Sequence, residues 1–348
     1  MRFRRVRIEA MGYELAPVVV TSAELEERLS PVYERLRIPR GQLLAWTGIE
    51  ERRFWEPGDG VARGAIAAAR KALAASRVRP QDLGALVYGG VSREAYEPAT
   101  ACDVAAGVGV AHDAAVHDVS NACLGAVNGI VDVANRIELG QIRAGLVVAC
   151  ESARRINEIA LARLLAEPTM ENFRGSLTTL TGGSGAAAVL LTDGSFGGGE
   201  GRRLLGAAQR AAPQHYALCR WGVRDAGPGG AVEEYALTDS IGILEHGARI
   251  VNETWAALLE ELGWQVADVD RVVTHQIGRA HRETMLRGMG MRDDQDYSTF
   301  PFLGNMGTVA LPLTAALAEE RGFLRPGSNV ALVGVGSGLN CLSLGVRW

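Results

Sequence analysis

The sequence has few aromatic residues, a single lysine and no marked excess of one charge. Phe, Trp and Tyr make up 6% of the 348 residues, and Lys71 is the only lysine. Lys and Arg total 36 against 40 Asp and Glu, which gives a formal net charge of −4 at pH 7. This near balance argues against nucleic acid or an anionic membrane surface as the main partner.

Long apolar runs are also missing. No segment reaches the ~18 uninterrupted apolar residues of a membrane span. Residues 1–17 carry positive charge but are not followed by the apolar stretch of a signal peptide. We therefore expect a cytoplasmic protein without a membrane span. Hydrophobic residues at 47% and charged residues at 22% still provide for a large core and argue against disorder.

The cysteines do not form a recognisable framework. There are five of them, widely spaced and without a CxxC pair: Cys102, Cys123, Cys150, Cys219 and Cys341. An odd number at such spacing favours neither a disulfide scaffold nor a zinc site. We therefore expect no metal, and at least one of these thiols is a candidate for chemistry.

What the chain does contain is an internal duplication. In the first half a helical pattern at 65–76 leads to a strand pattern at 85–92. In the second half a helical pattern at 252–263 leads to a strand pattern at 271–278. Apolar residues recur at three- and four-residue spacing in both helices, and both strands are short and β-branched.

A second pair of matching segments follows. The turn that ends at Cys123 runs into a helix and then a strand at 146–152, and the turn at 300–307 runs into a helix and then a strand at 330–338. Any α/β protein alternates such elements, so that two unrelated stretches of a doubly wound sheet are the alternative. Order, spacing and turn positions agree together, which favours duplication.

The duplication predicts an α/β fold of two similar halves, residues 1–190 and 191–348. A segment at 153–182, helical in its first part, interrupts the repeat of the first half. This insertion either lines a substrate channel or a dimer surface, or simply covers the core. Equivalent strand ends of the two halves would face one another, and ligand sites of α/β proteins form at such ends.

Four candidate positions lie at the ends of predicted strands or at the starts of the following helices. They are the segment 92–97, Cys123, His275 and Asn305. We assign His275 to the repeat position of the segment 92–97, and Asn305 to that of Cys123. The pattern therefore predicts a site shared by the two halves.

Cys123 is the candidate nucleophile. At a helix N-terminus, unpaired backbone N–H groups and the helix dipole favour the thiolate and lower the thiol pKa. The same N–H groups could hold the oxyanion of a tetrahedral intermediate. A buried structural cysteine is the alternative.

His275 and Asn305 have comparable alternatives. His275 could act as a base or a hydrogen-bond donor, or be a core histidine. Asn305 could donate its amide N–H to a thioester carbonyl, and it could equally cap the following helix. The glycine-rich turn with Ser337 and Gly338 lacks a following helix, so that a backbone donor or a tight turn is favoured over a phosphate loop.

Together these residues resemble a known family. Cys123, His275 and Asn305, in this order and ahead of a terminal Gly-Ser-Gly turn, resemble the ketoacyl synthase III group of the thiolase fold. The segment TGIEERRF at 47–54 is similar to an N-terminal segment of that group. The resemblance covers essentially the whole chain. It implies a layered αβαβα arrangement of two duplicated halves.

The likeness is closer still to the OleA-like enzymes, which join two acyl-CoA thioesters head to head without decarboxylation. The stretches that carry it are 91–101, 118–125, 274–281 and 333–341. The resemblance implies that Cys123 forms an acyl-enzyme, with Ser337 and Gly338 near its oxyanion. It also implies that Glu97 reaches into the site of the partner subunit as a base. A solvated surface carboxylate is the alternative for Glu97.

The resemblance also bears on substrate and assembly. It implies an acyl-CoA or acyl-carrier substrate, no other cofactor, and a dimer, either homodimeric or heterodimeric. Trp46 stands where many relatives have an arginine that holds the carrier phosphate, and we assign that role to Arg52 and Arg53. A decarboxylative synthase with a malonyl extender, an acyltransferase to an alcohol or amine, and a non-catalytic subunit are the alternatives.

Overall fold

The computed structural model describes residues 1–197, 201–225, 227 and 232–348. The strands are β1 Arg7–Leu15, β2 Val18–Thr21, β3 Glu51–Phe54, β4 Ala85–Tyr88, β5 Ala115–Asp118, β6 Ala144–Glu151, β7 Gly185–Thr192, β8 Arg202–Ala211, β9 Cys219–Asp225, β10 Val232–Thr238, β11 Arg271–Thr274, β12 Asn329–Gly336 and β13 Asn340–Arg347. The helices are α1 Ser22–Arg28, α2 Ser30–Leu36, α3 Gln42–Thr47, α4 Val61–Ala74, α5 Thr100–Val108, α6 Gly125–Glu138, α7 Arg154–Ala166, α8 Met170–Leu180, α9 Ser240–Leu262, α10 Arg279–Met289, α11 Phe300–Leu303 and α12 Ala310–Glu320.

Nine strands form one mixed sheet in the order β11-β12-β13-β8-β1-β7-β6-β4-β5. The first-half strands β5-β4-β6-β7-β1 meet the second-half strands at β1 and β8. There, Arg7 and Ile8 pair with Arg203 and Arg202. The remaining strands form two small ribbons, β2 with β3 and β9 with β10.

The sheet confirms the duplication. Strands β8, β11, β12 and β13 repeat the positions of β1, β4, β6 and β7 in the order of the sheet. β11 is parallel to β12 as β4 is to β6, and β12 is antiparallel to β13 as β6 is to β7. The counterpart of β5 is reduced to a single parallel bridge between Val272 and Asp296.

Helices cover both faces of each half of the sheet, so that three helical layers and two half-sheets form five layers. Val147 of β6 packs in the cluster that contains α6 and α12, and its neighbours Leu146 and Val148 pack in the cluster that contains α4 and α5. On the second half, α9 and α10 cover the face opposite to α12. The α6–α12 layer thus lies between the two half-sheets, as the αβαβα arrangement requires.

The predicted elements differ from the observed ones mainly at their ends. β4 ends at Tyr88 and β11 at Thr274, each four residues before the predicted end, and α9 begins at Ser240, well before the predicted helix at 252. The earlier ends leave residues 89–99 as a loop and place His275 directly after its strand. The division at residue 190 stays a prediction, and β7 extends two residues beyond it.

The insertion at 153–182 forms α7 and α8, which pack against α1, α2 and α3. Leu161, Leu164 and Phe173 share one buried cluster with Leu25 and Tyr33. Leu161 and Leu164 of the insertion thus cover this helical cluster, whereas Ile156 lines the cavity described below. Leu165, by contrast, is exposed.

Within the described residues, none of the helices is both long and apolar enough to cross a bilayer. The same residues contain no group of three or more His, Cys, Asp or Glu side chains arranged to hold a metal ion. The cytoplasmic location stays a prediction.

Candidate active site

Cys123 lies on a tight turn between β5 and α6. Residues Ala122–Leu124 form a single 3-10 turn, and Ala122 has a φ of 44°. A left-handed backbone at a residue with a Cβ is strained, and such strain persists where the surrounding fold enforces it. Gly336 packs against the turn, since a Cβ added there would lie 3.5 Å from the backbone nitrogen of Cys123.

The thiol of Cys123 lines a cavity of about 470 Å³. This volume falls within the range of small-molecule sites. Residues from both halves, the insertion and the β9–β10 ribbon contribute to its wall, among them Val91, Glu151, Ile156, Thr178, Cys219, Arg220, Trp221, Tyr235, Asn305, Met306 and Ser337.

His275 lines a second, smaller cavity of about 70 Å³, which shares Cys123, Asn305 and Ser337 with the larger one. The structure therefore brings together four of the residues singled out in the sequence. They come from the ends of β5, β11 and β12 and from the turn before α12. The wall common to the two cavities is where the halves of the duplication meet.

The electrostatics of Cys123 differ from the expectation of a lowered thiol pKa. Burial, with smaller contributions from the nearby Cys219 and Glu151, raises the pKa of Cys123 to about 12. The backbone N–H groups of Cys123 and Ser337 lower the pKa, but desolvation of the thiolate outweighs them. The resting nucleophile is thus a neutral thiol whose proton must leave as it reacts.

His275 is a neutral imidazole near pH 7. Burial, followed by the nearby His281, lowers the pKa of His275 to about 4. Its backbone N–H donates to Val333 O at 2.9 Å, and among the described residues its Nδ1 has no hydrogen-bond partner. A buried imidazole with a free ring nitrogen is able to exchange a proton or donate to a ligand.

The segment after His275 is held by buried polar side chains. Gln276 accepts from the backbone N–H groups of Thr299 and Phe300 at 2.8 and 3.1 Å. Asp296 accepts from Thr274 N at 3.0 Å and from Arg282 Nε at 2.7 Å. These bonds tie the end of β11 to the start of α11 and so position His275 relative to Asn305.

Asn305 is fixed on three sides. Its N–H donates to Thr181 O and its C=O accepts from Gly183 N, both at 2.9 Å. Its Oδ1 accepts from Gly307 N at 3.0 Å, which leaves the amide Nδ2 as the donor available to a ligand. The repeat assignment needs correction: Thr308, not Asn305, precedes α12 by two residues as Cys123 precedes α6.

Glu97 does not line either cavity of its own chain. It lies in the exposed part of the loop 89–99, beside Tyr96, which is 89% exposed. Gly338 is also outside both cavities, and its neighbour Ser337 is the residue of the turn that faces Cys123.

Arg52 and Arg53 do not reach the cavities either. Arg52 is fully buried, and its guanidinium donates to Ser22 Oγ at 3.0 Å. Burial lowers its pKa to about 10. The assignment of CoA phosphates to Arg52 is corrected on this ground, because alternation along β3 turns Arg52 inward with Phe54.

Two parts of the site were missed in the sequence. Glu151, at the end of β6, is 6% exposed and lines the larger cavity. Burial raises its pKa, although hydrogen bonds from Val91 and Ser92 oppose the shift. The available signal was a glutamate at the end of the buried strand β6, where it pairs with Gly185 at the start of β7.

The second part is the β9–β10 ribbon, which lies between β8 and α9 in the chain as the β2–β3 ribbon lies between β1 and α4. Its residues Arg220, Trp221 and Tyr235 line the larger cavity. The guanidinium of Arg220 lies over the ring of Tyr235, 5.8 Å from its centroid. The adjacent Arg220 and Trp221 in the segment 219–225 were the available signal.

Comparisons with known protein families agree with this architecture. The thiolase N-terminal domain family matches residues 64–176. The C-terminal family of 3-oxoacyl-[acyl-carrier-protein] synthase III matches residues 259–348. A β-ketoacyl-[acyl-carrier-protein] synthase III from Symbiobacterium thermophilum is 28% identical over 100% of this chain and 99% of its own.

Greater similarity is found to two proteins named acyl-CoA:acyl-CoA alkyltransferase. The one from Shewanella oneidensis is 51% identical and the one from Xanthomonas campestris 34%, each over 100% of both chains. A crystal structure of Xanthomonas campestris OleA superposes with a TM-score of 0.93 at 34% identity, covering 100% of this chain and 98% of that one. The protein is therefore a member of the acyl-CoA:acyl-CoA alkyltransferase family, the OleA-like branch of the thiolase superfamily.

Proposed function

We propose that the protein condenses two acyl-CoA thioesters, without decarboxylation, to a β-keto acid through an acyl-Cys123 intermediate. The observation that carries this proposal is the place of Cys123, in the wall shared by a cavity of about 470 Å³ and the smaller cavity that contains His275. The family relationship supports it. One solved structure of Xanthomonas campestris OleA contains bound lauric acid and lauroyl-CoA.

The first step is transfer of one acyl group to Cys123. The thiol gives its proton to the neutral His275 as sulfur attacks the thioester carbonyl, and the oxyanion is held by the N–H groups of Cys123 and Ser337. The C–S bond to CoA then breaks. The departing CoA sulfur takes up the proton from His275, so that acyl-enzyme and free CoA result.

The second step forms the carbon–carbon bond. The carbonyl of a second acyl-CoA accepts hydrogen bonds from Asn305 Nδ2 and from His275, which stabilise the enolate. The partner subunit's Glu97 removes the α-proton. The α-carbon attacks the acyl group on Cys123, the C–S bond to Cys123 breaks, and the cysteine sulfur regains a proton from Glu97. Water then cleaves the remaining thioester to give the β-keto acid and CoA.

We assign Glu97 to a partner subunit because of its position. Glu97 lies outside the cavities of its own chain, although Val91 at the base of the same loop lines the larger one, and Tyr96 beside Glu97 is 89% exposed. An exposed aromatic residue of this size is typical of an interface. β5, which follows the loop in the chain, is the outermost strand of the sheet. These features support a homodimer in which each chain supplies Glu97 to the other.

Arg220 is our candidate for the CoA end of the substrate. It is exposed and lines the larger cavity, where a phosphate at the cavity mouth could reach it. Arg52 lacks this access because it is buried.

The test is incubation of the purified protein with myristoyl-CoA alone, without any malonyl compound. Heating converts a β-keto acid to the symmetrical long-chain ketone, which mass spectrometry detects. We expect ketone from the unaltered protein and from Cys102→Ala, which removes an exposed thiol outside the cavities. We expect none from Cys123→Ala. Ketone formation that needs malonyl-CoA would contradict the proposal.

A further inference from the structure

Glu151 is the charged side chain that connects the cavity to the loop of Glu97. Its carboxylate accepts from Val91 N at 2.7 Å through Oε1, and from Ser92 N at 3.1 Å and Ser92 Oγ at 2.8 Å through Oε2. All three donors belong to the first part of the loop that follows β4. Both carboxylate oxygens are thus used to hold the loop.

The loop is fixed at this base and at Glu94. Tyr88 Oη donates to Ser92 O at 2.5 Å, and Ser92 Oγ accepts from Ser152 N at 3.1 Å. Glu94 Oε1 accepts from Ala62 N, in the first turn of α4, at 2.5 Å. Beyond Glu94 the loop is exposed, and it is this exposed part that carries Glu97.

Glu151 also belongs to the wall of the larger cavity with Cys123. Its Cγ lies 3.5 Å from the position that a Cβ on Gly307 would take, so that it packs against the turn after Asn305. One buried carboxylate therefore contacts the turn that positions Asn305 and, through its oxygens, the loop that supplies the base.

We infer that Glu151 is a positioning residue for the partner's reaction: it sets the direction in which Glu97 of the same chain leaves the subunit. The inference rests on the proposed function, since it takes Glu97 to serve the partner's cavity. Its consequence is a crossed dependence. Condensation on the Cys123 of one subunit requires the Glu151 of the other.

The chemistry of the contact requires a carboxylate. A glutamine at 151 offers one acceptor oxygen, and its NH₂ group would face a backbone N–H that also needs an acceptor. The loss of a charge-assisted bond and the new donor–donor contact would displace the loop base. Ser92→Ala removes only the hydroxyl bond of the three to Glu151, together with the bond from Ser152 N, and keeps both backbone bonds to the carboxylate, so that it should displace the loop less.

Mixed dimers separate the two roles of the chain. Pairing a Cys123→Ala chain with a Glu97→Gln chain leaves one productive cavity, which combines Cys123 of the second chain with Glu97 of the first. Glu151→Gln is then placed on either chain, with two affinity tags to isolate the mixed dimer. Single-turnover acylation of Cys123 and ketone formation from myristoyl-CoA are measured separately.

We expect Glu151→Gln to lower condensation at least tenfold, about 1.4 kcal/mol in barrier, on the chain that supplies Glu97. On the chain that supplies Cys123 we expect a smaller loss, because there the change alters the wall of the reacting cavity but not the loop that supplies the base. Acylation of Cys123 should be unchanged in the first placement. Ser92→Ala should show the same asymmetry with a smaller loss.

Each other outcome is decisive. Equal losses in both placements, a larger loss on the Cys123 chain, or no loss in either would overturn the positioning role of Glu151. If the parent pair of Cys123→Ala and Glu97→Gln chains acylates but does not condense, the exchange of Glu97 between subunits is wrong. In that case the proposed function fails at its second step, before Glu151 is altered.

Discussion

The side chain of Asn340 donates from Nδ2 to Oδ1 of Asn121 at 3.0 Å. Asn121 in turn donates to Asn128 Oδ1 at 2.7 Å. This chain of amides joins the first residue of β13 to the turn that carries Cys123 and to the helix that follows it. Through these hydrogen bonds, the second half of the duplication supports the turn that carries Cys123 in the first half.

Asn340→Ala should therefore slow acylation of Cys123. We expect about a tenfold lower acylation rate and a loss of about 1 kcal/mol in the free energy of unfolding, typical of one hydrogen bond. Rapid-quench mass spectrometry of the acyl-enzyme measures the first quantity, and urea unfolding the second.

Asn329→Ala is the matched control for this experiment. Asn329 also donates from Nδ2, to Asp268 O at 2.8 Å, but it lies at the far end of β12 from the cavity. It should lose similar stability without slower acylation. Equal slowing in both variants would contradict the role of the Asn121–Asn340 bond.

The raised pKa of Cys123 predicts how its reactivity changes with pH. Since the thiol pKa is about 12, the thiolate fraction is small at pH 7 and rises about tenfold with each pH unit. Alkylation of Cys123 by iodoacetamide should therefore accelerate from pH 7 to 10 without a plateau. A plateau below pH 8 would show that the helix N-terminus governs the thiol, against the effect of burial.

Asn305→Asp separates acylation from condensation. The aspartate retains an oxygen for Gly307 N but replaces the Nδ2 donor with an acceptor. We expect condensation to fall by about 100-fold, the usual cost of one oxyanion donor, with acylation of Cys123 changed little. Accumulation of acyl-enzyme without ketone is the result to be measured. Loss of both activities together would contradict the assignment of Asn305 to the second substrate.

Two buried histidines predict a loss of stability in acid. Burial lowers the pKa of both His275 and His281 to about 4. Above the unfolded pKa of about 6.5, both the folded and the unfolded chain are unprotonated at these histidines, and the free energy of unfolding is at its full value. As the pH falls from about 6.5 towards 4, the unfolded chain binds protons there while the folded chain does not, so that the free energy of unfolding decreases. At pH 5 each histidine should reduce the free energy of unfolding by about 2 kcal/mol.

His281→Leu provides the check on this pH dependence. Urea unfolding at pH 7 and pH 5 measures how far the free energy of unfolding decreases between these pH values. In His281→Leu this decrease should be about half of that in the unaltered protein, because one titrating histidine has been removed. A pH dependence equal to that of the unaltered protein would show that His281 titrates normally in the folded state.

Arg220→Ala should raise the KM for acyl-CoA several-fold, because it removes the cation at the cavity wall. Arg224→Ala is the matched control: Arg224 also lies on β9 and over Tyr235, at 5.1 Å from the ring centroid, but does not line the cavity. Steady-state kinetics of CoA release give both values. Equal effects of the two changes would contradict the assignment of Arg220.

The repeat was readable because its parts are local. Small residues before α6 and α12, and short β-branched strands before His275, produce patterns within windows of about ten residues. Cys123, His275 and Asn305 could be brought together from these patterns, because strands of a shared sheet end at the same edge. The place of Ser337 near them followed from the family resemblance.

Other features depend on contacts between distant segments. Glu151 meets Val91 and Ser92 across about 60 residues of chain, and nothing near Glu151 in the sequence indicates those donors. The inward direction of Arg52 follows from its register in β3, which the run ERRF leaves open. The pKa of Cys123 could not be foreseen either, since the degree of burial decides whether the helix N-terminus prevails.

The two ends of the long sheet are not alike. At one end β5 is a complete strand, and at the other the equivalent strand is reduced to the bridge between Val272 and Asp296, with Asp296 turned to bind Thr274 and Arg282. The two edges therefore differ in the number of residues that flank them. If the proposed homodimer joins through β5, no second β5 edge is left for a third copy, and this inequality of the two ends would favour a closed pair over a filament.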